Sequence, residues 1–177
     1  MNWCSIRSGV SNTASSRNGH GDAVIWRIAK ETPGYPAIDL SGGGARAVGG
    51  RWNRKGTAAV YASTTIALAT LETLAHLGGN ISIRNAFLIS ITIPKALWAQ
   101  RRIVSVASLS PAWLAEPPGA ASMDYGDAWL RAHAGLLLMV PSIIVPEEYN
   151  VVINLAHAAA GQVTAQIARQ HRYDPRL

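Results

Sequence analysis

One cysteine, Cys4, stands in 177 residues, so no disulfide can close within the chain and no cysteine-based zinc site can form. No stretch approaches the ~18 consecutive apolar residues of a membrane-spanning helix. The first twenty residues set Arg7 and Arg17 among Ser, Asn and Gly, without the apolar run of a secretory leader. These absences lead to the expectation of a soluble, cytoplasmic protein with no membrane partner. Acids are also few, 10 against 16 Lys and Arg, for a formal net charge of +6. That surplus points to an anionic partner, whether nucleic acid, a phosphorylated small molecule or an acidic protein, and by itself it does not choose among them. The longest basic clusters, Arg51 with Arg54 and Lys55, and Arg101 with Arg102, are short for a nucleic-acid module, so direct nucleic-acid binding is not expected.

The shortage of acid is sharpest between residues 40 and 115, where eight Lys or Arg accompany a single carboxylate, Glu72. Glu72 lies in the stretch Ser41 to Leu77, in which a glycine-rich basic segment, a short apolar strand ending at Tyr61 and an apolar helix follow one another. Gly42, Gly44 and Ala47 can be aligned to the dinucleotide pattern GxGxx(G/A), but Gly49 and Gly50 would break the helix that pattern requires. What remains is a loop of accessible amides flanked by Arg46, Arg51 and Arg54, or else a plain surface loop. The helix from Thr64 to Leu77 is expected to be capped by Ser63 or Thr64 and stopped by Gly78-Gly79-Asn80. Its apolar stripe is expected at Leu68, Leu71, Leu74 and Ala75, with Glu72 and His76 one turn apart on a neighbouring face. That pair reads either as a solvated ion pair or as a functional group; a metal site is not expected, because no further ligand motif stands near it.

The length fits one domain, expected as a flexible arm over residues 1–22 and a folded unit over 23–177. Strands are expected at Val24 to Ile28, Ala58 to Tyr61, Phe87 to Ile93, Arg102 to Val106, Gly135 to Val140 and Val151 to Asn154. Short helices are expected after Ser110-Pro111 and over Ser122 to Ala134. Without a steady βαβ rhythm, the fold class is α+β, a single compact domain with a mixed β core and short helices. Arg27 sits inside the first strand, either on its outward face or as a guanidinium held rigidly to grip a phosphate or carboxylate. Ser142, between two prolines, lacks the turn of a nucleophilic serine and is better suited to a supporting hydrogen bond.

Taken together, Trp26-Arg27, Gly44-Ala45, Gly49-Gly50-Arg51-Trp52-Asn53, Tyr61-Ala62-Ser63, Leu71-Glu72, Gly126-Asp127-Ala128-Trp129-Leu130, Val140-Pro141-Ser142, Asn150 with Asn154 and Asp174-Pro175-Arg176-Leu177 resemble the RES-domain family, the toxin half of RES-Xre toxin–antitoxin pairs. The resemblance covers about residues 24 to 177. One departure is the segment Asn154-Leu155-Ala156-His157-Ala158, where the family usually reads Asn-Pro-x-His-Pro. The family's Glu and Ser fall on Glu72 and Ser142; its Arg falls on Arg51 or Arg27, with Arg51 preferred for its place in the glycine segment.

The resemblance implies a fold similar to the ADP-ribosyltransferase toxins, NAD as substrate, no metal, and cleavage of the nicotinamide–ribose bond that depletes cellular NAD and arrests growth. Transfer of ADP-ribose to a protein is the alternative, and a non-catalytic basic binding module is a second one. An Xre-type antitoxin covering the active site is the implied partner, with nucleic acid reached only through it, and with room for a homodimer in that complex. Glu72, Arg51, Tyr61 and Ser142 are then the implied catalytic residues, and Arg27, Arg51, Tyr61, Gly44, Asn150 and Asn154 the implied NAD-binding ones. Cleavage through an oxocarbenium-like ribose calls for cations at the pyrophosphate, a flat surface for nicotinamide and one carboxylate near the ribose.

Overall fold

The structure is a computed structural model that describes residues 21–77 and 85–174; the expected arm lies almost wholly outside those residues, as does the expected helix stop at Gly78-Gly79-Asn80. Seven strands form one mixed sheet: β1 (Ala23–Lys30), β2 (Val60–Ser63), β3 (Ala86–Ile93), β4 (Arg102–Ile103), β5 (Leu137–Pro141), β6 (Tyr149–Ile153) and β7 (Thr164–Gln170). Their order across the sheet is β4-β5-β6-β2-β1-β3-β7, antiparallel throughout except for the parallel pair β4–β5. Among the described residues four α-helices accompany them, α1 (Gly43–Val48), α2 (Ile66–Leu77), α3 (Lys95–Ala99) and α4 (Ala120–Arg131). The arrangement is α+β, as the irregular mixing of short elements implies.

Side chains alternate across a strand, so register assigns each residue to a face. Trp26 pairs with Ser63, Ser63 with Asn150, and Asn150 with Val140, which places these four on one face. Ile25, Ala62, Val151 and Met139 belong to the other, where a buried cluster with Ile89, Ile91 and Ile153 forms the larger core. On the first face Val140, Val152 and Leu138 pack with Trp52, Trp113, Trp129 and Leu130. Apolar cores on both faces explain why β5, Leu-Leu-Met-Val-Pro, is buried at every position and does not alternate.

Several elements depart from the expectations, among them α3, for which no helix is expected. Gly43–Val48 is a short helix, not a loop; it stops at Gly49, whose φ of 82° suits glycine. The segment after Ser110-Pro111 forms a single 3₁₀ turn over Pro111–Leu114, and Val106 belongs to another such turn, outside the strand expected to reach it. β7 has no counterpart among the expected strands. Its sequence, Thr-Ala-Gln-Ile-Ala-Arg-Gln, has no apolar face, as fits an edge strand that is largely exposed.

Candidate active site

Helix α2 is capped by Thr65, whose hydroxyl accepts the Leu68 amide at 3.1 Å and donates to Glu148 Oε2 at 2.9 Å. Ser63 and Thr64, the expected caps, are used elsewhere. Thr65, Leu68, Ala69 and Glu72 share one helical face, and Leu68 and Ala69 are buried. Glu72 therefore turns inward with the apolar stripe, while Leu71 and Ala75, expected on that stripe, are exposed. His76 does not meet the Glu72 carboxylate; its Nδ1 lies 3.0 Å from the Glu72 backbone carbonyl. Among the described residues no three His, Cys, Asp or Glu side chains gather as metal ligands.

Two neutral donors converge on one oxygen of Glu72. Ser142 Oγ donates to Oε1 at 2.7 Å, and Asn150 Nδ2 donates to the same oxygen at 2.5 Å. Ser142 is fully buried at the end of β5, and its hydroxyl oxygen accepts the amides of Ile144 and Val145 at 3.0 and 3.1 Å. Asn150 is steadied in turn by Ser63, which donates to Oδ1 at 2.7 Å from the adjacent strand. Oε2 of Glu72 takes no hydrogen bond from any described residue. Among the described residues, one edge of the carboxylate is held and the other takes no bond.

Tyr61 points to the same face as Ser63, about 7 Å along β2. Its hydroxyl donates to Asn53 Oδ1 at 2.7 Å and accepts the Trp52 amide at 3.1 Å. Burial pushes the phenol above its ordinary value, the Trp52 amide and the nearby Arg51 charge opposing that shift, so Tyr61 is neutral. Asn53 is fully buried and donates to the carbonyls of Ala45 and Thr57 at 3.0 and 2.9 Å, tying α1 and the following turn to this wall. Gly50 must be glycine here, because a Cβ would lie 2.8 Å from Asn53 Oδ1 and 2.9 Å from the Tyr61 hydroxyl. Arg51 stands beside Tyr61 and grips the turn opposite: Nη1 donates to the carbonyls of Trp113 and Ala115, both at 2.9 Å, and Nη2 pairs with Glu116 at 2.6 Å.

Glu72, Ser142, Asn150, Tyr61 and Arg51 thus belong to one face of the sheet. Arg27 does not share it, because its neighbour Trp26 does; its guanidinium bonds the Asp39 carbonyl at 3.2 Å. Burial lowers the Arg27 pKa and the Asp39 charge partly restores it. Asn154 lies about 13 Å from Asn150, beyond the far end of β6. There it donates to the Leu130 carbonyl at 3.0 Å and accepts the Ala156 amide at 3.1 Å, so it anchors the end of α4 beside a depression lined by Thr57, Arg131 and His133. Gly44 is exposed on α1, and a Cβ added there would meet nothing within 4 Å. Ser63 and Asn53 enter the sequence reading only as a candidate cap and as parts of longer motifs; the cross-strand register that gives Ser63 its partner is invisible without the sheet.

A carboxylate braced on one oxygen by a hydroxyl and an amide, on one face of a two-cored sheet, defines the class of site. The RES domain family model matches residues 24–175, and the chain belongs to the RES-domain family. It is 43% identical over 153 residues to a protein of Sphingobium sp. (strain YBL2) named "Prs ADP-ribosylating toxin", covering 86% of this chain and 95% of that protein. A "Toxin Res" of Photorhabdus laumondii subsp. laumondii is 40% identical, covering 74% of this chain and 81% of the relative. Another of Yersinia enterocolitica is 34% identical, covering 87% and 99%.

Proposed function

We propose that this chain is a toxin that binds NAD and breaks its nicotinamide–ribose bond. The observation that carries the reading is Glu72, held through Oε1 with Oε2 available to a substrate. As the bond between ribose C1′ and the pyridinium nitrogen breaks, its electron pair stays on nitrogen and neutral nicotinamide leaves. Positive charge develops over C1′ and the ring oxygen, where the Glu72 carboxylate stabilises it electrostatically. An acceptor oxygen or nitrogen then bonds to C1′ and releases its proton. The Tyr61 ring, fixed at its hydroxyl by Asn53 and Trp52, offers the flat surface for nicotinamide. Arg51 supplies charge for the pyrophosphate through the donors not engaged with residues 113–116.

A second reading, transfer of ADP-ribose to a protein, is favoured by the name of the Sphingobium relative. It shares the bond-breaking step and differs in the acceptor. Both readings pair the toxin with an antitoxin, taken to be of the Xre type and seated over Glu72, with exposed Ile66 and Leu71 of α2 and Ile144 as apolar contacts; a homodimer within the complex belongs to the same reading. No helix among the described residues is long and apolar enough to cross a membrane.

The test is incubation of purified protein with NAD, with and without phosphate and with and without cell lysate. Products are resolved by chromatography and modified proteins by mass spectrometry. Nicotinamide release is expected, and Glu72→Gln is expected to lower it about 10²- to 10³-fold with the fold retained. Full turnover by Glu72→Gln, or salt-sensitive nucleic-acid binding with no nicotinamide release, would overturn the proposal.

A further inference from the structure

We propose that Ser63 is a positioning residue for the reaction, acting on Glu72 through the amide of Asn150; the inference rests on the reading of Glu72 above. The two ends of an Asn amide are nearly the same shape and opposite in hydrogen-bonding sense. Only one orientation serves this site. With Nδ2 toward Glu72 Oε1 at 2.5 Å the contact is attractive, and with Oδ1 there two acceptors would face each other. An ionised carboxylate is acceptor-only, so it demands Nδ2; the amide then presents Oδ1 to the opposite side, where the Ser63 hydroxyl donates to it at 2.7 Å. Every donor in the series Ser63, Asn150, Glu72 points the same way.

The frame around this relay is rigid. Ser63 and Asn150 are register partners on β2 and β6 near the middle of the sheet, and Ser63 is only 4% exposed. Thr65 caps α2, which releases Ser63 from the capping role its sequence position suggests. Removing the hydroxyl leaves Oδ1 of Asn150 without its donor in a partly buried seat, and the amide can then turn away from Glu72. Ser142 would remain as the sole brace, and Oε2 would lose its fixed position relative to the ribose.

The experiment compares Ser63→Ala, Asn150→Ala, the double variant and Glu72→Gln in NAD turnover, with thermal unfolding as a parallel readout. Ser63→Ala should lower kcat about tenfold, the rate equivalent of one hydrogen bond to an oriented polar group, with KM little changed. Because Ser63 acts through Asn150, adding Ser63→Ala to Asn150→Ala should produce little further loss. Equal kcat for Ser63→Ala and the parent, or full additivity in the double variant, overturns the role of Ser63. A loss of melting temperature with kcat unchanged shows a merely structural serine and also overturns it. If Glu72→Gln itself keeps full turnover, the failure belongs to the underlying reading of Glu72 and the Ser63 inference falls with it.

Discussion

Gly126 lies where α4 crosses the wall that carries Arg51 and Tyr61, and substitution there tests how that wall is held. A Cβ added to Gly126 would sit 2.1 Å from the Trp52 carbonyl oxygen and 2.8 Å from both the Trp52 carbonyl carbon and Cβ. Reaching the 3.4 Å of ordinary contact requires an opening of about 1.3 Å between two backbone segments, which no side-chain rotation can supply. Trp52 is itself buried, its ring stacked near Trp113 at 6.3 Å, and its amide bonds the Tyr61 hydroxyl. Overpacking of this kind costs about 1–3 kcal/mol, which for a domain of this size lowers the melting temperature by roughly 2–12 °C. The opening also shifts Arg51 and Tyr61, and a displacement of about 1 Å at such positions can reduce turnover on the order of 100-fold. Calorimetric unfolding and NAD consumption by Gly126→Ala measure both effects. Gly161→Ala is the control: a glycine of the 3₁₀ turn Ala160–Gln162 with open space around it, where alanine should be neutral or mildly stabilising. Parent-like melting and turnover for Gly126→Ala would refute the close approach of α4 to Trp52.

Asp127, next along α4, is nearly buried and accepts the Arg54 amide at 3.0 Å, Arg131 Nε at 2.7 Å and the Thr57 hydroxyl. Asp127→Asn turns an amide donor against donors and should cost about 2–4 kcal/mol in denaturant unfolding. Burial alone would raise the Asp127 pKa, but the bonds from Thr57, Arg54 and Arg131 outweigh it and hold it below the ordinary 3.8. The unfolded chain therefore binds this proton first, so the stability Asp127 contributes is present above pH ~4 and is lost as pH falls through the folded value; the variant should show a shallower acid slope. His171 is buried edge-on against Tyr173 at 4.6 Å, and neither ring nitrogen is bonded to any described residue. Burial first, and the Arg169 charge second, lower its pKa, so stability should fall as pH drops below the ordinary 6.5 toward the folded value. His171→Phe should flatten urea midpoints measured between pH 7 and pH 5, and an unchanged slope would remove His171 as its source.

The strands that can be read directly are those whose chemistry is local. β3 is a β-prone run stopped by Pro94, and β5 is an apolar run ended by Pro141. β7 is hidden because its residues satisfy no apolar pattern, and its place depends on backbone pairing with β3, including a register shift opposite Leu88 and Ile89. α1 is hidden by its own glycines. It forms because Gly42, at φ 68°, packs against the Ala59 backbone and because Asn53 holds the Ala45 carbonyl, both contacts made by residues outside the helix. The cap of α2 is hidden for a related reason: Thr65 is held in part by Glu148, which is 83 residues away.

The lone acid, by contrast, is conspicuous from charge alone, and the structure gives that isolation a physical sense. Four arginines of the basic half are engaged away from Glu72: Arg51 on the carbonyls and Glu116 of the opposing turn, Arg54 on Asp124, Arg101 over Trp98 and Arg102 over Tyr125. Glu72 is instead braced by a hydroxyl and an amide, Ser142 and Asn150. A salt bridge from arginine would fix the carboxylate equally well but would offset its field, which is the property that stabilises a cation developing nearby. Neutral donors fix position and leave the charge uncancelled. The same logic explains why one oxygen takes both bonds. With Oε1 accepting from Ser142 and Asn150, Oε2 takes no bond from any described residue, so on the proposed reading a substrate cation would meet a carboxylate whose geometry is already set.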